Sequence, residues 1–252
     1  MITIGINGVA GRMGQAVSAA AEERDAVEVA FGIDDDPEET TGPPVVGPPE
    51  LEETIASYTP DVIVDFSVPE ATLDLATVCA DAGVPLVIGT TGFDTDALER
   101  LEALSAEIPV LKAANFARGI QAFLRALEPA LAALEGYDIE LAETHHNAKV
   151  DAPSGTANTI LETIRDHRDL EPVYGRNGHQ PRSDNEVGVL VSRLGDVRGE
   201  HEVRLGANDE VLTIAHRAED RGVFAAGALD AAVWLAEQNP GWYTFGDVID
   251  ET

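Results

Sequence analysis

Two adjacent histidines and a lysine lie close together in the segment ETHHNAKVDAPSGTANTI, residues 143–160. His145, His146 and Lys149 fall within five residues, although the whole chain has 6 histidines and its only lysines are Lys112 and Lys149. A histidine exchanges protons near neutral pH, and a lysine supplies a compact positive charge. The spacing therefore predicts a site that delivers a proton to a negatively charged small molecule.

The residues that follow this group are small and begin a predicted helix. Ser154, Gly155 and Thr156 would supply its first backbone N–H groups, and small side chains leave those groups open to a carboxylate. Such a set suits the reduction of a small polyanionic acid. Two alternatives stay open, since a proline and a serine at a helix start are often simple capping and paired histidines can bind metal. No acid or cysteine lies at a familiar ligand spacing, so we predict no metal site.

A second candidate site lies at the beginning of the chain. Residues 2–9 form a short apolar strand, and Gly8, Gly11 and Gly14 follow three residues apart before a helical pattern. Glycines at this spacing let a turn tighten, let the backbone approach a pyrophosphate and let the helix pack on the strand. The next strand ends at Asp34, where an acid commonly binds ribose hydroxyls. The pattern favours a dinucleotide site over an ordinary glycine-rich turn.

The strand and helix alternation continues to residue 116 and predicts a parallel sheet with helices on both faces. Strands are predicted at 61–67, 84–93 and 108–116, and helices at 69–83 and 94–107. Ligands on such sheets bind beyond the carboxyl ends of the strands. The loops DFS (65–67), GTTG (89–92) and AANF (113–116) fall there.

The second half of the chain changes to closely spaced strands. Helices are predicted at 120–135, bent at Pro129, and at 154–168; strands are predicted at 137–143, 185–194, 196–205 and 209–218, with an exposed, mobile loop at 171–184. A helix at 223–238 should return to the first domain. The fold class is therefore α/β, with a Rossmann-like parallel-sheet dinucleotide-binding domain (1–116, completed by 222–252) and a second α+β domain with a mixed or antiparallel sheet (117–221).

The composition excludes several classes of partner. The 252 residues include 46 Asp and Glu against 16 Lys and Arg, a formal net charge of -30. Such a surface repels nucleic acid and anionic membranes, no apolar run approaches the ~20 residues of a membrane helix, and Cys79 is the only cysteine, which excludes a disulfide framework. We expect a cytoplasmic protein adapted to high salt, with simple acidic drift as the alternative origin of the charge.

The segment ETHHNAKVDAPSGTA resembles the signature of the dihydrodipicolinate reductase family. GVAGRMG, DFS, IGTTGF, AANFARG, RLGDVRGEH and HRAEDRGVFAAGAL also resemble family segments, in the same order and over nearly the whole chain. The resemblance implies NAD(P)H-dependent reduction of 4-hydroxy-tetrahydrodipicolinate to tetrahydrodipicolinate, on the diaminopimelate route to lysine. It also implies a homotetramer joined through the second-domain sheets.

The resemblance and the strand-end positions together assign roles to individual residues. His145 is implied as the general acid or base and Lys149 as its partner in substrate binding and proton transfer. The predicted substrate contacts are His146, Ser154, Gly155, Thr156 and, beside the return to the first domain, Arg221. The predicted cofactor contacts are Gly8, Gly11, Arg12, Met13, Gly14, Asp34, Phe66, Gly89, Thr90, Thr91, Ala113, Asn115 and Phe116.

Two departures from the family pattern bear on these roles. Ala117, Arg118 and Gly119 stand where the family often has Ser-Val-Gly, and we assign no role to Arg118. Asp35 and Asp36 follow Asp34 where some members carry an arginine, so we expect a slight preference for NADH over NADPH. One alternative is a dehydrogenase that acts on a different small acid and has the same two-domain architecture. A redox-responsive repressor would need a basic DNA-reading module, which the sequence lacks.

Overall fold

The computed structural model describes residues 1–35 and 43–251. The chain divides into two compact units, of which unit 1 comprises Met1–Phe116 with Arg221–Thr252, and unit 2 comprises Ala117–Asp220. Arg221 thus belongs to unit 1.

The described residues form twelve strands and eight α-helices. The strands are β1 Ile2–Asn7, β2 Val27–Ile33, β3 Val45–Val46, β4 Val62–Asp65, β5 Leu86–Ile88, β6 Pro109–Lys112, β7 Asp138–His145, β8 Glu171–Tyr174, β9 Glu186–Arg193, β10 Glu200–Ala207, β11 Glu210–Arg217 and β12 Gly241–Tyr243. The helices are α1 Arg12–Glu22, α2 Leu51–Tyr58, α3 Pro69–Ala82, α4 Thr95–Leu104, α5 Arg118–Ala133, α6 Gly155–His167, α7 Gly222–Leu235 and α8 Phe245–Glu251.

Unit 1 is built on a seven-stranded sheet in the order β12-β6-β5-β4-β1-β2-β3. Every pairing in it is parallel, which confirms the predicted parallel sheet. Successive side chains of a strand point to opposite faces, and here both faces are buried. Val62 and Val64 pack against α1 and α7, whereas Ile63 packs against α2, α3 and α4.

Unit 2 contains a five-stranded sheet in the order β11-β10-β7-β9-β8. The β10 strand is antiparallel to β7 and β11, whereas β9 is parallel to β7 and β8. The sheet is therefore mixed, as expected. Helices α5 and α6 bury one of its faces through a single apolar cluster that includes Leu127, Ile160 and Val203. Helix α5 runs through Pro129.

The exposed, mobile loop predicted at 171–184 is correct only in part, because residues 175–184 are irregular and mostly exposed whereas residues 171–174 form a strand. Its first residues form β8, which pairs in parallel with β9. Further along, Arg176 forms an ion pair with Glu186, and the Ser183 hydroxyl donates a hydrogen bond of 3.0 Å to the same carboxylate. Arg182 donates to Glu140 Oε1 at 2.7 Å. The segment carries no hydrophobic periodicity because its order comes from an edge strand and from charged contacts.

The sequence patterns also missed several short elements of unit 1, namely α2, α8 and the edge strands β3 and β12. These elements are two to eight residues long, too short for a periodic pattern to stand out. The strand predicted at 196–205 begins only at Glu200, after a turn that contains Gly195 and Gly199. Within the described ranges, no helix is long and apolar enough to cross a bilayer.

Candidate active site

The glycine turn after β1 is shaped by close backbone contacts. Gly8 has a positive φ of 75°, and a Cβ at this position would lie 2.6 Å from the carbonyl oxygen of Phe66. A Cβ at Gly14 would overlap the carbonyl oxygen of Gly8. A side chain at Gly14 would push α1 away from the turn, and a side chain at Gly8 would push the turn away from the end of β4. The glycines therefore allow the helix to start directly beside the turn.

The start of α1 is open to an anion. Gly11 is its N-cap residue, no side chain caps it, and its first turn contains no acidic residue. The N–H groups of Arg12, Met13 and Gly14 thus lack the side-chain partner that a capping residue would provide. Arg12 is exposed, whereas Met13 is half-buried against the apolar cluster of α1 and α7. This arrangement is typical of a phosphate-binding helix start.

Asp34 lies next to the same turn. Its Oδ2 accepts a hydrogen bond of 2.9 Å from the backbone N–H of Ala10, which fixes the carboxylate beside the glycines. A carboxylate has acceptor capacity for further donors, such as ribose hydroxyls. Asp35 follows and is exposed, and Asp36 lies outside the described residues.

A buried aspartate organises the strand ends at which the predicted cofactor-binding loops begin. The Asp65 carboxylate at the end of β4 is fully buried. It accepts hydrogen bonds from Asn7 Nδ2 at 2.7 Å, Ser67 Oγ at 2.5 Å, Thr72 Oγ1 at 2.7 Å and Thr90 Oγ1 at 2.7 Å. The hydrogen bonds of this one carboxylate therefore connect the ends of β1, β4 and β5 with the start of α3.

The hydrogen bonds around Asp65 define the structural role of Thr90. Its hydroxyl donates to Asp65 and accepts a hydrogen bond of 2.9 Å from the Ser67 backbone N–H. The side chain is therefore engaged in shaping the loop after β5. Thr91 is exposed in the same loop.

Phe66, Gly89 and Phe116 form a packed group at the same edge of the sheet. A Cβ at Gly89 would overlap the Phe66 ring, so this ring rests directly on the glycine backbone. The Phe66 and Phe116 rings meet edge to face, with centroids 5.8 Å apart. Phe116 is 1 % exposed, so its side chain supports Phe66 from the core. Ala113 and Asn115, just before it, are half-buried.

The predicted proton donor of unit 2 lies at the end of β7. Burial leaves His145 9 % exposed, and its Nδ1 is 2.5 Å from Glu143 Oε2. With Nδ1 donating to that carboxylate, Nε2 is the atom available to a substrate. A Cβ at Gly199 would lie 3.1 Å from His145 Nε2. Glycine at 199 therefore leaves room beside the reactive nitrogen.

Glu143 has further partners from two other elements. Arg193 of β9 donates from Nη1 to Oε2 and from Nη2 to Oε1, both at 3.1 Å, and the backbone N–H of Ser154 donates to Oε1 at 3.1 Å. Burial alone would raise the pKa of this carboxyl group. Hydrogen bonds from His145, Arg193 and Ser154 outweigh burial and lower its pKa to about 2.

The start of α6 lies against the same carboxylate. Ser154 is the N-cap residue, and its Oγ accepts a hydrogen bond of 3.1 Å from the Ala157 N–H. The first turn contains no acidic residue, Gly155 is half-buried and Thr156 is buried. Such a helix start can hold a carboxylate.

Lys149 follows a turn that leads from β7 towards α6. Its backbone N–H donates to the carbonyl oxygen of His146 at 3.1 Å, and its Nζ lies 2.8 Å from Asp151 Oδ1. The side chain is 22 % exposed, so the charge is only partly solvated. His146 is half-buried. Arg221, by contrast, is the N-cap residue of α7 in unit 1.

The sequence patterns missed three residues around His145, namely Glu143, Arg193 and His201. Glu143 and His201 are buried, and the Arg193 side chain is largely so. The alternation of β7 and β10 carried a usable signal, because Glu143 shares its face with Leu141, and His201 shares its face with Val203. Polar side chains on a core-facing register of a strand indicate a buried polar network.

His201 completes this network from β10. Its Nε2 lies 3.1 Å from Ser154 Oγ, and its ring meets that of His145 edge to face at 5.2 Å. Burial of the ring, aided by the positive potential of His145, lowers the pKa of His201 to about 4. The ring is therefore neutral at neutral pH.

Acidification should destabilise unit 2 through His201. Because its pKa falls from 6.5 in the unfolded chain to about 4 in the folded chain, the unfolded state binds a proton first. The stability that the neutral ring contributes is complete above pH 6.5 and is lost as the pH falls towards 4, by up to about 3 kcal/mol. In urea unfolding at molar KCl, we expect His201→Gln to flatten this pH dependence. His179→Gln, which removes an exposed histidine, should leave it unchanged, and equal slopes in wild type and His201→Gln would contradict the assignment.

The described residues hold no group of three or more His, Cys, Asp or Glu side chains arranged to bind a metal ion. The dense polar contacts around His145 are instead hydrogen bonds and one bidentate ion pair. The arrangement can hold a histidine in one orientation beside a helix start that accepts an anion.

Comparisons with known proteins cover both halves of the chain. The family model described as dihydrodipicolinate reductase, N-terminus, matches residues 2–116, and the model described as dihydrodipicolinate reductase, C-terminus, matches residues 119–249. Together the two models span nearly the whole chain.

Full-length relatives agree with these models. A protein named 4-hydroxy-tetrahydrodipicolinate reductase from Haloarcula marismortui is 56% identical over 250 residues, covering 99% of this chain and 100% of the relative. Another of the same name from Natronomonas pharaonis is 58% identical over 191 residues, covering 75% of this chain and 78% of the relative. Among solved structures, a dipicolinate-bound dihydrodipicolinate reductase from Paenisporosarcina sp. TG-14 has a TM-score of 0.78 at 24% identity, covering 97% of each chain. This last likeness concerns the fold.

Proposed function

Because the chain belongs to the dihydrodipicolinate reductase family, we propose that its two units bind different ligands. The protein is an oxidoreductase that reduces 4-hydroxy-tetrahydrodipicolinate on the diaminopimelate route to lysine. Unit 1 binds the dinucleotide through the glycine turn, the start of α1 and the loops that Asp65 holds. Unit 2 binds the dicarboxylate through Lys149 and the start of α6. The main observation in support of this proposal is that His145 lies close to the start of α6.

In unit 1 the residues fit a nicotinamide dinucleotide. The uncapped N–H groups at the start of α1 would hold the pyrophosphate, and Asp34 would accept hydrogen bonds from ribose hydroxyls. Phe66 and the loop from Gly89 to Thr91 would lie along the nicotinamide half, together with the segment from Ala113 to Asn115. The bound cofactor supplies a hydride to the substrate ring.

In unit 2 the protein supplies the proton. The conversion to tetrahydrodipicolinate consumes one hydride and one proton and releases the hydroxyl group as water. His145 in its protonated form donates from Nε2, while Nδ1 stays on Glu143. Lys149 holds a carboxylate of the substrate and compensates its charge. The remaining carboxylate contacts come from His146, Ser154, Gly155 and Thr156, with Arg221 as a further cation.

A dicarboxylate substrate agrees with the chemistry of this site. The related structure from Paenisporosarcina contains dipicolinate, a planar dicarboxylate. A cation and a helix start in one short segment can bind two carboxylates at once. We therefore expect pyridine-2,6-dicarboxylate to bind tightly to the NADH-loaded protein, which a dehydrogenase for another small acid would not show.

The cofactor preference provides a direct test of the proposed function. In an assay with freshly prepared synthase product, we expect oxidation of both cofactors and a kcat/KM a few-fold higher for NADH. Asp34 and Asp35 oppose a 2′-phosphate, whereas the exposed Arg12 attracts it. Asp34→Ser should shift the ratio of the two kcat/KM values towards NADPH by about tenfold, which corresponds to 1.4 kcal/mol. The control Glu28→Gln removes an exposed acid at the opposite end of β2.

Two outcomes of this assay would overturn different statements. A strong NADPH preference in the wild type would refute the role of the aspartates. Absence of oxidation with either cofactor would refute the function itself.

We also propose a homotetramer joined through the sheets of unit 2. One face of this sheet carries α5 and α6. The opposite face presents Leu190 and Val211, which are 46 % and 64 % exposed, so that it offers apolar surface for a second copy. A cytoplasmic location is part of this proposal, since the reaction draws on the cell's nicotinamide pool.

A further inference from the structure

Glu143 joins three elements of unit 2 at one carboxylate. It receives hydrogen bonds from His145 on its own strand β7, from Arg193 on β9 and from the Ser154 backbone N–H at the start of α6. Its side chain has no exposed surface. A buried carboxylate with this many donors is held in one orientation.

The Arg193 contact keeps Glu143 ionised. The guanidinium binds both carboxylate oxygens in a bidentate pair, which is the strongest arrangement available to these groups. Arg193 is itself fixed by hydrogen bonds from Nη1 to the Ser192 carbonyl oxygen at 2.7 Å and from Nη2 to the Asp151 carbonyl oxygen at 2.5 Å. The negative charge beside His145 is therefore permanent at neutral pH.

An ionised carboxylate at Nδ1 has two effects on His145. It selects the tautomer with a proton on Nδ1, and it fixes the ring so that Nε2 is directed outward. Arg193 on β9 binds the same carboxylate as His145, and the ring of His201 on β10 meets the His145 ring. His216 on β11 and Lys149 in the following turn act on His201. Each of these is a cation or becomes one on protonation, whereas Glu143 is an acid and accepts the hydrogen bond from His145 Nδ1.

The second oxygen of Glu143 bears on substrate binding. Oε1 accepts from the Ser154 N–H, and Ser154 is the N-cap residue of α6. The carboxylate that orients the proton donor therefore also positions the helix start that would hold the substrate carboxylate. A shift of one would displace the other.

We propose that Glu143, held by Arg193, is a positioning residue for the reduction: it holds the His145 ring with Nδ1 as the donor to Glu143 and Nε2 presented, and it sets the distance between His145 and the carboxylate-binding start of α6. This inference rests on the proposed function, in which His145 supplies the proton. Glu143 itself contacts neither substrate nor cofactor in this scheme and acts through His145 and Ser154.

The test replaces Glu143 with an uncharged side chain of the same shape. For Glu143→Gln, we expect kcat to fall by roughly tenfold or more, part of the 10²–10⁴ range of general acid catalysis. Because a neutral amide cannot hold the His145 ring through a charge-assisted hydrogen bond, the pH profile of kcat should also differ from that of the wild type. Dinucleotide binding, measured by NADH fluorescence, should stay unchanged because Glu143 belongs to unit 2. Glu143→Asp, which retains the charge, should restore the wild-type pH profile.

Two further variants separate positioning from general loss of structure. Glu140→Gln removes another acid of β7, one that pairs with Arg182 and faces away from His145, and it should leave the pH profile of kcat unchanged. In the double variant His145→Ala/Glu143→Gln, kcat should be no lower than in His145→Ala alone, because the effect of Glu143 on kcat passes through His145, whereas its effect through Ser154 should appear in KM for the dicarboxylate. A double variant much slower than His145→Ala would overturn the inference.

The outcomes distinguish this inference from the proposed function. If His145→Ala kept wild-type turnover, the assignment of the proton donor would fail. If His145→Ala were slow while Glu143→Gln kept the wild-type kcat and pH profile, only the positioning role of Glu143 would be wrong.

Discussion

Replacement of His145 or Lys149 by alanine is expected to lower kcat by about 100-fold, the scale at which single acid–base groups act. His145→Ala removes the proposed proton donor, whose Nε2 lies beside Gly199. Lys149→Ala removes a partly solvated cation near the start of α6 and should also raise KM for the dicarboxylate. Steady-state kinetics at saturating NADH would measure both effects.

Matched variants identify the cause of such losses. NADH binding should be unchanged in both alanine variants, since both residues belong to unit 2. His179→Ala and Arg217→Ala, which remove an exposed histidine and an exposed arginine from the same unit, should retain wild-type turnover. Full turnover in His145→Ala would show that another group supplies the proton.

High salt is expected to stabilise this protein strongly. The formal net charge is -30, and several arginines are already paired with acids, as in Arg24–Asp230 and Arg217–Glu200. The excess carboxylates therefore repel one another, the dinucleotide and the dicarboxylate substrate. The Debye length falls from ~10 Å at 0.1 M salt to ~3 Å at 1 M, which removes this long-range repulsion.

Between 0.1 M and 2 M KCl, we expect a gain of about 4 kcal/mol in stability, or about 10 °C in Tm for a chain of this size. Tetramer assembly and substrate affinity should improve over the same range. The contacts of Lys149 and of the α6 start should persist, because short-range contacts at partly buried groups are screened less. Thermal melts, sedimentation and KM across a KCl series would measure these changes.

A charge-reduced variant serves as the control. Glu99→Gln/Glu102→Gln removes two exposed carboxylates from α4, a helix that supplies none of the proposed contacts, and should weaken the salt dependence of Tm. A wild type that is equally stable, tetrameric and active at low salt would show that the acidic surface is no adaptation to salt.

The sequence by itself determined the parallel sheet of unit 1 and the mixed sheet of unit 2. The alternation of strands and helices predicted the first, and both buried faces of β4 bear it out. Membership of the family was inferred from short sequence segments, above all the one from His145 to Thr156, and the family models confirm it. These signals were readable because turn glycines, periodic apolar residues and reactive side chains act within a few positions of each other in the chain.

Only the tertiary structure decided what surrounds His145. Strand β7 lies between β10 and β9, and this order brings His201 opposite Glu143, and Arg193 opposite His145. Arg193 is 50 residues from Glu143 in the chain, and His201 is 47 residues from Ser154. Likewise, Thr90 and Phe116 proved to shape and support their loops from buried positions. Strand register sets such contacts, and local periodicity specifies which face a side chain takes but not which distant strand it meets.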